Sequence, residues 1–97
     1  MNAYKLSPEA EQDLRDIYRW GYRTFGEASA EKYHFGLLDH FTKIATSPLI
    51  YQAVEHLLED CRRAVHGKNN IYYKIVDDDL NIIIIRIIGQ QSLSKRL

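Results

Sequence analysis

Apolar residues follow two rhythms along this chain, and the change falls near residue 60. In the first part Ala10, Leu14, Ile17, Tyr18 and Gly21 recur at helical spacing, while Asp13, Arg15, Asp16, Arg19 and Arg23 stay off that stripe. Ser7 offers a hydroxyl N-cap and Pro8 a first-turn proline whose missing N–H does no harm; Glu9, Glu11 and Asp13 suit the positive end of a helix dipole. The stripe predicts an amphipathic helix ending near Phe25-Gly26, with Gly26 as a left-handed stop. A second helix is predicted from Glu27 to Thr46, with Ala30, Tyr33, Leu37, Phe41, Ile44 and Ala45 on one face and Ser47-Pro48 ending it. So short a connection makes an antiparallel hairpin. Gly21 and Gly36 each cost about 1 kcal/mol against alanine in a helix, so a packing reason is expected, namely close approach of the two backbones.

The second rhythm is that of strands. A short extended segment ends at Lys5-Leu6, and residues 49 to 60 have no clean period and are predicted as a connection. After them come Cys61 to His66, the turn Gly67-Lys68-Asn69-Asn70, Ile71 to Val76, the turn Asp77-Asp78-Asp79, and Asn81 to Ile88. The predicted fold is α+β: an N-terminal β-strand, an antiparallel helix hairpin and a three-stranded antiparallel meander, β-α-α-β-β-β. Ile82, Ile83, Ile84, Ile85, Ile87 and Ile88 do not alternate with polar residues, so both faces of that strand need cover, from the chain's own tail, a second copy or a partner. Arg86 interrupts the run and needs an acidic partner, either on another protein or at Asp77 to Asp79. Three adjacent aspartates do not converge as a spaced ligand set does, so they read as a solvated turn; no metal or cofactor site is expected.

Composition narrows the class. Ninety-seven residues, 45% hydrophobic, suit a single domain over 1–97. A chain this short buries a modest share of its surface and gains stability from a partner. Net charge is zero but polarised: residues 1–60 carry six basic and ten acidic side chains, a net −4, and residues 61–97 carry seven and three, a net +4. That balance lacks the excess positive field of a protein holding many phosphates, so sequence-specific nucleic-acid binding is not expected; a protein partner of opposite charge fits better. Cys61 is the single cysteine, which excludes an internal disulfide and reads as structural. The start of the chain has no leader pattern and no apolar run is long enough to span a bilayer, so a cytoplasmic location is expected.

Five segments in order resemble one family: Tyr4 to Leu14, Phe25-Gly26-Glu27, Arg62-Arg63 before Gly67, Ile71-Tyr72-Tyr73-Lys74-Ile75, and Arg86-Ile87-Ile88-Gly89-Gln90-Gln91. Together they are similar to the ParE toxins of the RelE/ParE superfamily, and the resemblance spans almost the whole chain. It implies the toxin of a type II toxin-antitoxin system, a poison of DNA gyrase neutralised by a ParD-like antitoxin, with two toxins and two antitoxins in the complex. Folding of a disordered antitoxin tail onto the toxin fits the two-sided apolar strand.

Two alternatives stand beside it: an inactive antitoxin-binding module, and a nuclease like the RelE relatives that cut mRNA on the ribosome, which needs a base, an acid and cations around the phosphate. The candidates are His34, His40, His56 and His66, with Tyr72 and Tyr73 as weaker ones. His34 reads as a core-margin residue, His40 as solvent-facing, His56 as a loop residue, and His66 as a turn histidine near Lys68 and Arg62. Gly89-Gln90-Gln91-Ser92-Leu93, after the last strand, offers no group that exchanges a proton near neutral pH, which favours a non-catalytic toxin. In that reading Arg62, Arg63 and Arg86 are the antitoxin-binding candidates. Strand alternation sends Arg62 and Arg63 to opposite faces. His66, Lys68, Lys95, Arg96 and Leu97, in the basic turn and tail, are the candidates for contact with the target.

Overall fold

A computed structural model of the chain describes residues 3–54 and 60–89. The elements are β1 (Tyr4–Leu6), α1 (Pro8–Phe25), α2 (Glu27–Thr46), β2 (Gln52–Ala53), β3 (Arg62–His66), β4 (Asn69–Ile75) and β5 (Ile82–Gly89). They form a five-stranded sheet in the order β1-β5-β4-β3-β2. The predicted meander is β3-β4-β5, antiparallel throughout, and β1 joins it parallel to β5. One strand is additional to the expectation: β2, paired antiparallel with β3, lies in the segment whose sequence has no period. Gln52 and Ala53 are both exposed there, so no apolar alternation marks them.

Both helices end where the sequence places them. Ser7 caps α1, its hydroxyl accepting from the Ala10 amide at 3.0 Å, and Gly26 has φ 94° between the helices. Gly21 faces Ala30 of α2, the close approach expected of it. Gly36 behaves differently: a side chain there would meet the His66 ring at 3.4 Å, so it makes room for β3 and not for α1.

The main core lies between the hairpin and one sheet face and contains Leu14, Leu37, Phe41, Ile44, Ile71, Tyr73, Ile82, Ile84 and Ile87. The opposite face carries a smaller cluster of Val54, Cys61, Tyr72 and Ile88, with Ile85 packed against it. A β-bulge explains the run of isoleucines. Tyr72 pairs with Arg86 but Tyr73 pairs with Ile84, so Ile85 is an extra residue in β5. The bulge shifts the phase of alternation, putting Ile82, Ile84 and Ile87 under the helices and leaving Arg86 beside Tyr72 on the far face. Among the described residues no helix is long and apolar enough to cross a membrane.

Candidate functional site

Where β1 ends, β5 has an open edge, and α1 closes it with side chains. The Ser7 amide donates to the Ile84 carbonyl at 2.9 Å and its hydroxyl to the Ile85 carbonyl at 2.7 Å. Six residues further along, an Asp13 carboxylate oxygen accepts from the Ile87 amide at 2.9 Å. The same carboxylate receives two bonds from Arg86, Nε at 2.7 Å and Nη2 at 2.9 Å. Asp13 thus does for β5 what a neighbouring strand would, and it neutralises the arginine of the isoleucine run. Its side chain is 6% exposed against 26% for Arg86. These bonds hold the Arg86 guanidinium above its ordinary pKa. Within the chain the partner of Arg86 is thus Asp13 and not Asp77 to Asp79, and Asp13 is buried although it lies off the apolar stripe. Asp77 instead organises its own exposed turn, accepting from the amides of Asp79 and Asn81.

The other predicted cations divide between the two sheet faces, as alternation requires. Arg62 faces the helices, its Nη1 donating to the carbonyls of Tyr51 at 2.7 Å and Leu49 at 3.4 Å. It pins the 49–51 segment to the sheet together with Tyr73, whose hydroxyl donates to the Pro48 carbonyl at 2.6 Å. Arg63, on the far face, touches Gln52 Oε1 at 3.3 Å and is half-buried. Lys68 is exposed in the β3–β4 turn. Lys95, Arg96 and Leu97 lie outside the described residues, as does His56.

His66 and His40 depart from expectation together. Neither faces solvent freely: their Nδ1 atoms lie 2.9 Å apart, joining the end of β3 to α2. The ring centres are 5.1 Å apart, near the most that this contact permits, so the nitrogens meet head-on and share one hydrogen. Lone pairs aimed at one another do not converge on a third atom, and among the described residues no group of three or more His, Cys, Asp and Glu is placed to hold a metal. Burial lowers the pKa of both; the neighbouring imidazole and then Lys43 lower His40 further, and Lys43 lowers His66. Tyr33 completes the junction, its hydroxyl 3.0 Å from the His66 carbonyl and 2.6 Å from Asn69 Oδ1. Gly67 is required beside it: φ is 55°, and a Cβ would meet the Tyr33 hydroxyl at 2.8 Å.

An open concavity of about 770 Å³ among the described residues was not foreseen from the sequence. Its floor is apolar, built from Leu6 of β1 and Leu14, Tyr18 and Tyr22 of α1, with His34 of α2 closing one side. Ring contacts continue across the helices from Tyr22 to Tyr18, His34 and Phe35, the last 63% exposed. Nδ1 of His34 is buried and makes no hydrogen bond among the described residues. Along the α1 rim stand Glu11, Arg15, Arg19 and Arg23, all exposed and spaced four apart, so the row is one acid followed by three arginines. Arg15 bonds Gln12 at 2.9 Å, and the ion pairs among the described residues, Asp13–Arg86 and Asp39–Lys43, leave all three arginines out. A signal was present in the i, i+4, i+8 arginines beside Tyr18 and Tyr22, but the same pattern describes any solvated helix face.

Residues 4–93 match the model of the family described as ParE toxin of type II toxin-antitoxin system, parDE. The chain belongs to the ParE toxin family. It is 30% identical over 90 residues to Toxin ParE1 of Caulobacter vibrioides, an alignment that covers 93% of this chain and 91% of that protein. It is 26% identical over 88 residues to Toxin ParE1 of Mycobacterium tuberculosis, covering 91% and 89%. Among solved structures, the chromosomal ParDE toxin-antitoxin system from P. aeruginosa superposes with a TM-score of 0.77 at 16% identity, covering 92% of this chain and 96% of that one. At that identity the likeness speaks for the ParE fold alone.

Proposed function

We propose that this ParE-family chain, a single domain over 1–97 acting in the cytoplasm, inhibits DNA gyrase by binding it, without catalysis, and is neutralised by a ParD-like antitoxin in a complex of two toxins and two antitoxins. The observation that carries the non-catalytic reading is that groups a nuclease would use are already bonded within the chain. His66 is locked to His40, Arg62 to backbone carbonyls and Arg86 to Asp13. The His40 contact engages Nδ1 of His66 and leaves its Nε2, but a phosphate clamp needs an unpaired guanidinium, which neither of these arginines offers. The same bonds argue against Arg62 and Arg86 as antitoxin contacts and against His66 as a target contact. Arg63 remains for the antitoxin, and Lys68 for the target together with Lys95, Arg96 and Leu97.

The test is a supercoiling assay with purified chain and gyrase, with and without the antitoxin, alongside mapping of mRNA ends on arrested ribosomes. Blocked supercoiling that the antitoxin relieves is expected. Full supercoiling at saturating chain, or mRNA cut in the ribosomal A site and lost in His66→Ala, would overturn the reading in favour of the nuclease alternative.

A further inference from the structure

Past Ala64, β3 sends no apolar side chain into the core: Val65 points to the far face and is 54% exposed, and His66 then leads into the turn. Two polar side chains of α2 fasten this end of the sheet. One is Tyr33, whose hydroxyl shares a single hydrogen between the His66 carbonyl and Asn69 Oδ1 and is bonded to the Lys68 backbone as well. The other is His40, whose Nδ1 meets that of His66 while the His66 ring sits over Gly36. The Tyr33 ring packs edge-on against the His66 ring at 5.2 Å, so a shift of that imidazole disturbs both fastenings.

The number of protons on the two rings decides whether the His40–His66 contact can exist. Nitrogens 2.9 Å apart and meeting head-on hold one hydrogen between them, so in the neutral pair one ring carries its hydrogen on Nδ1 and the other on Nε2. A first added proton goes to the basic Nε2 of the donor ring and leaves the bond in place, now charge-assisted. A second must go to the accepting Nδ1, since that ring has no other lone pair; two N–H groups and two positive charges then face each other. The surroundings do not offset them. Lys43 of α2 adds a third cation. Asp39, also on α2, is the last of the influences on His40, and it is exposed and paired with Lys43 at 3.3 Å. From the segment before β2, Tyr51 presents its ring 6.0 Å from His40, and Arg62 of β3 is tied to the Tyr51 carbonyl. Lys68 in the turn is exposed. Among the described residues no carboxylate pairs with either imidazole.

We propose that His40 and His66 form a proton-counting latch on the β3–β4 turn: with one added proton or none it holds the turn against α2, and a second proton releases it. Lys68 moves with the turn, so the latch also regulates contact with the target; that consequence rests on the proposed function, whereas the release itself does not.

The test is nuclear magnetic resonance of the full isotope-labelled chain from neutral pH down to about pH 4.5, just above the ordinary carboxylate range. At neutral pH a scalar coupling between the two Nδ1 nuclei across the shared hydrogen is expected. As the imidazole nitrogen shifts report the second protonation, that coupling is expected to disappear. Backbone order parameters at Lys68 and Asn69 should then fall from about 0.85 to below about 0.6, while those of Tyr72 and Tyr73 in the middle of β4 stay near about 0.85. In His40→Asn, whose amide offers His66 either an N–H or an oxygen, the turn is expected to remain ordered throughout. No coupling in the folded chain at neutral pH, an ordered turn with both rings protonated, or the same loosening in His40→Asn would overturn the proposal. So would loss of order in β4 together with the turn, which would assign the effect to unfolding of the whole domain. The measurement involves no gyrase, so a working latch in a chain that leaves supercoiling untouched would overturn the gyrase reading alone.

Discussion

The two flanks of α1 treat charge in opposite ways. On the flank toward β5, Asp13 is almost fully buried and accepts two hydrogen bonds from Arg86 and one from the Ile87 amide among its contacts. On the other flank Arg15, Arg19 and Arg23 stand in solvent over an apolar floor and pair with no acid among the described residues. The first arrangement holds the fold together, because it satisfies a strand edge that β1 is too short to cover. The second makes no ion pair among the described residues and does little for the fold. Charge buried with its partner is costly to disturb, whereas exposed charge is cheap to change.

That comparison is broken most directly at Asp13. Asp13→Ala is expected to destabilise the chain by about 3 kcal/mol, since it strands the Arg86 guanidinium and a backbone N–H; urea unfolding measures it. The double variant Asp13→Ala, Arg86→Met should lose less than Asp13→Ala alone, because no unpaired cation remains, and a greater loss would show that the ion pair is not what Asp13 supplies. Next in size is Arg62→Ala, expected to cost about 1–2 kcal/mol by freeing the carbonyls of the 49–51 segment, with faster hydrogen exchange in β3 as the local readout.

The histidine pair gives a smaller, pH-dependent effect. Both imidazoles have folded pKa values below the ordinary 6.5, so between that value and the folded values the unfolded chain binds more protons than the folded one. Stability is therefore highest with both rings neutral and falls as pH drops from about 6.5 through the folded pKa values, where a second proton would set two N–H groups face to face. Urea unfolding from neutral pH to about pH 5 should show this decline, and His66→Gln should flatten it. The smallest expected effect is Arg19→Ala, within about 0.5 kcal/mol of wild type in the same assay. A larger loss would mean that the outer flank of α1 supports the fold after all.

Local patterns served well where the forces were local. The apolar stripes, the Ser7 cap and the Gly26 stop placed both helices, and the turn clusters placed β3, β4 and β5 to within two residues. The α+β order was legible for the same reason. Three matters were not. β2 is held only by pairing with β3, since its own residues are exposed. The bulge at Ile85 is a relation between two strands, invisible in a run of isoleucines that satisfies either phase. Each misread charge or imidazole found its partner far along the chain: Arg86 meets Asp13 across 73 residues, and His66 meets His40 across 26.

The sequence by itself determined which segments are helices and which are strands, that the last strand needs apolar cover on both faces, and that Arg86 needs an acid. Only the tertiary structure decided which acid, because hydrogen bonds at a sheet edge depend on where β1 stops and how α1 crosses β5. It also decided which arginines stay open, since a guanidinium is free or sealed according to what the fold brings within about 3 Å of it.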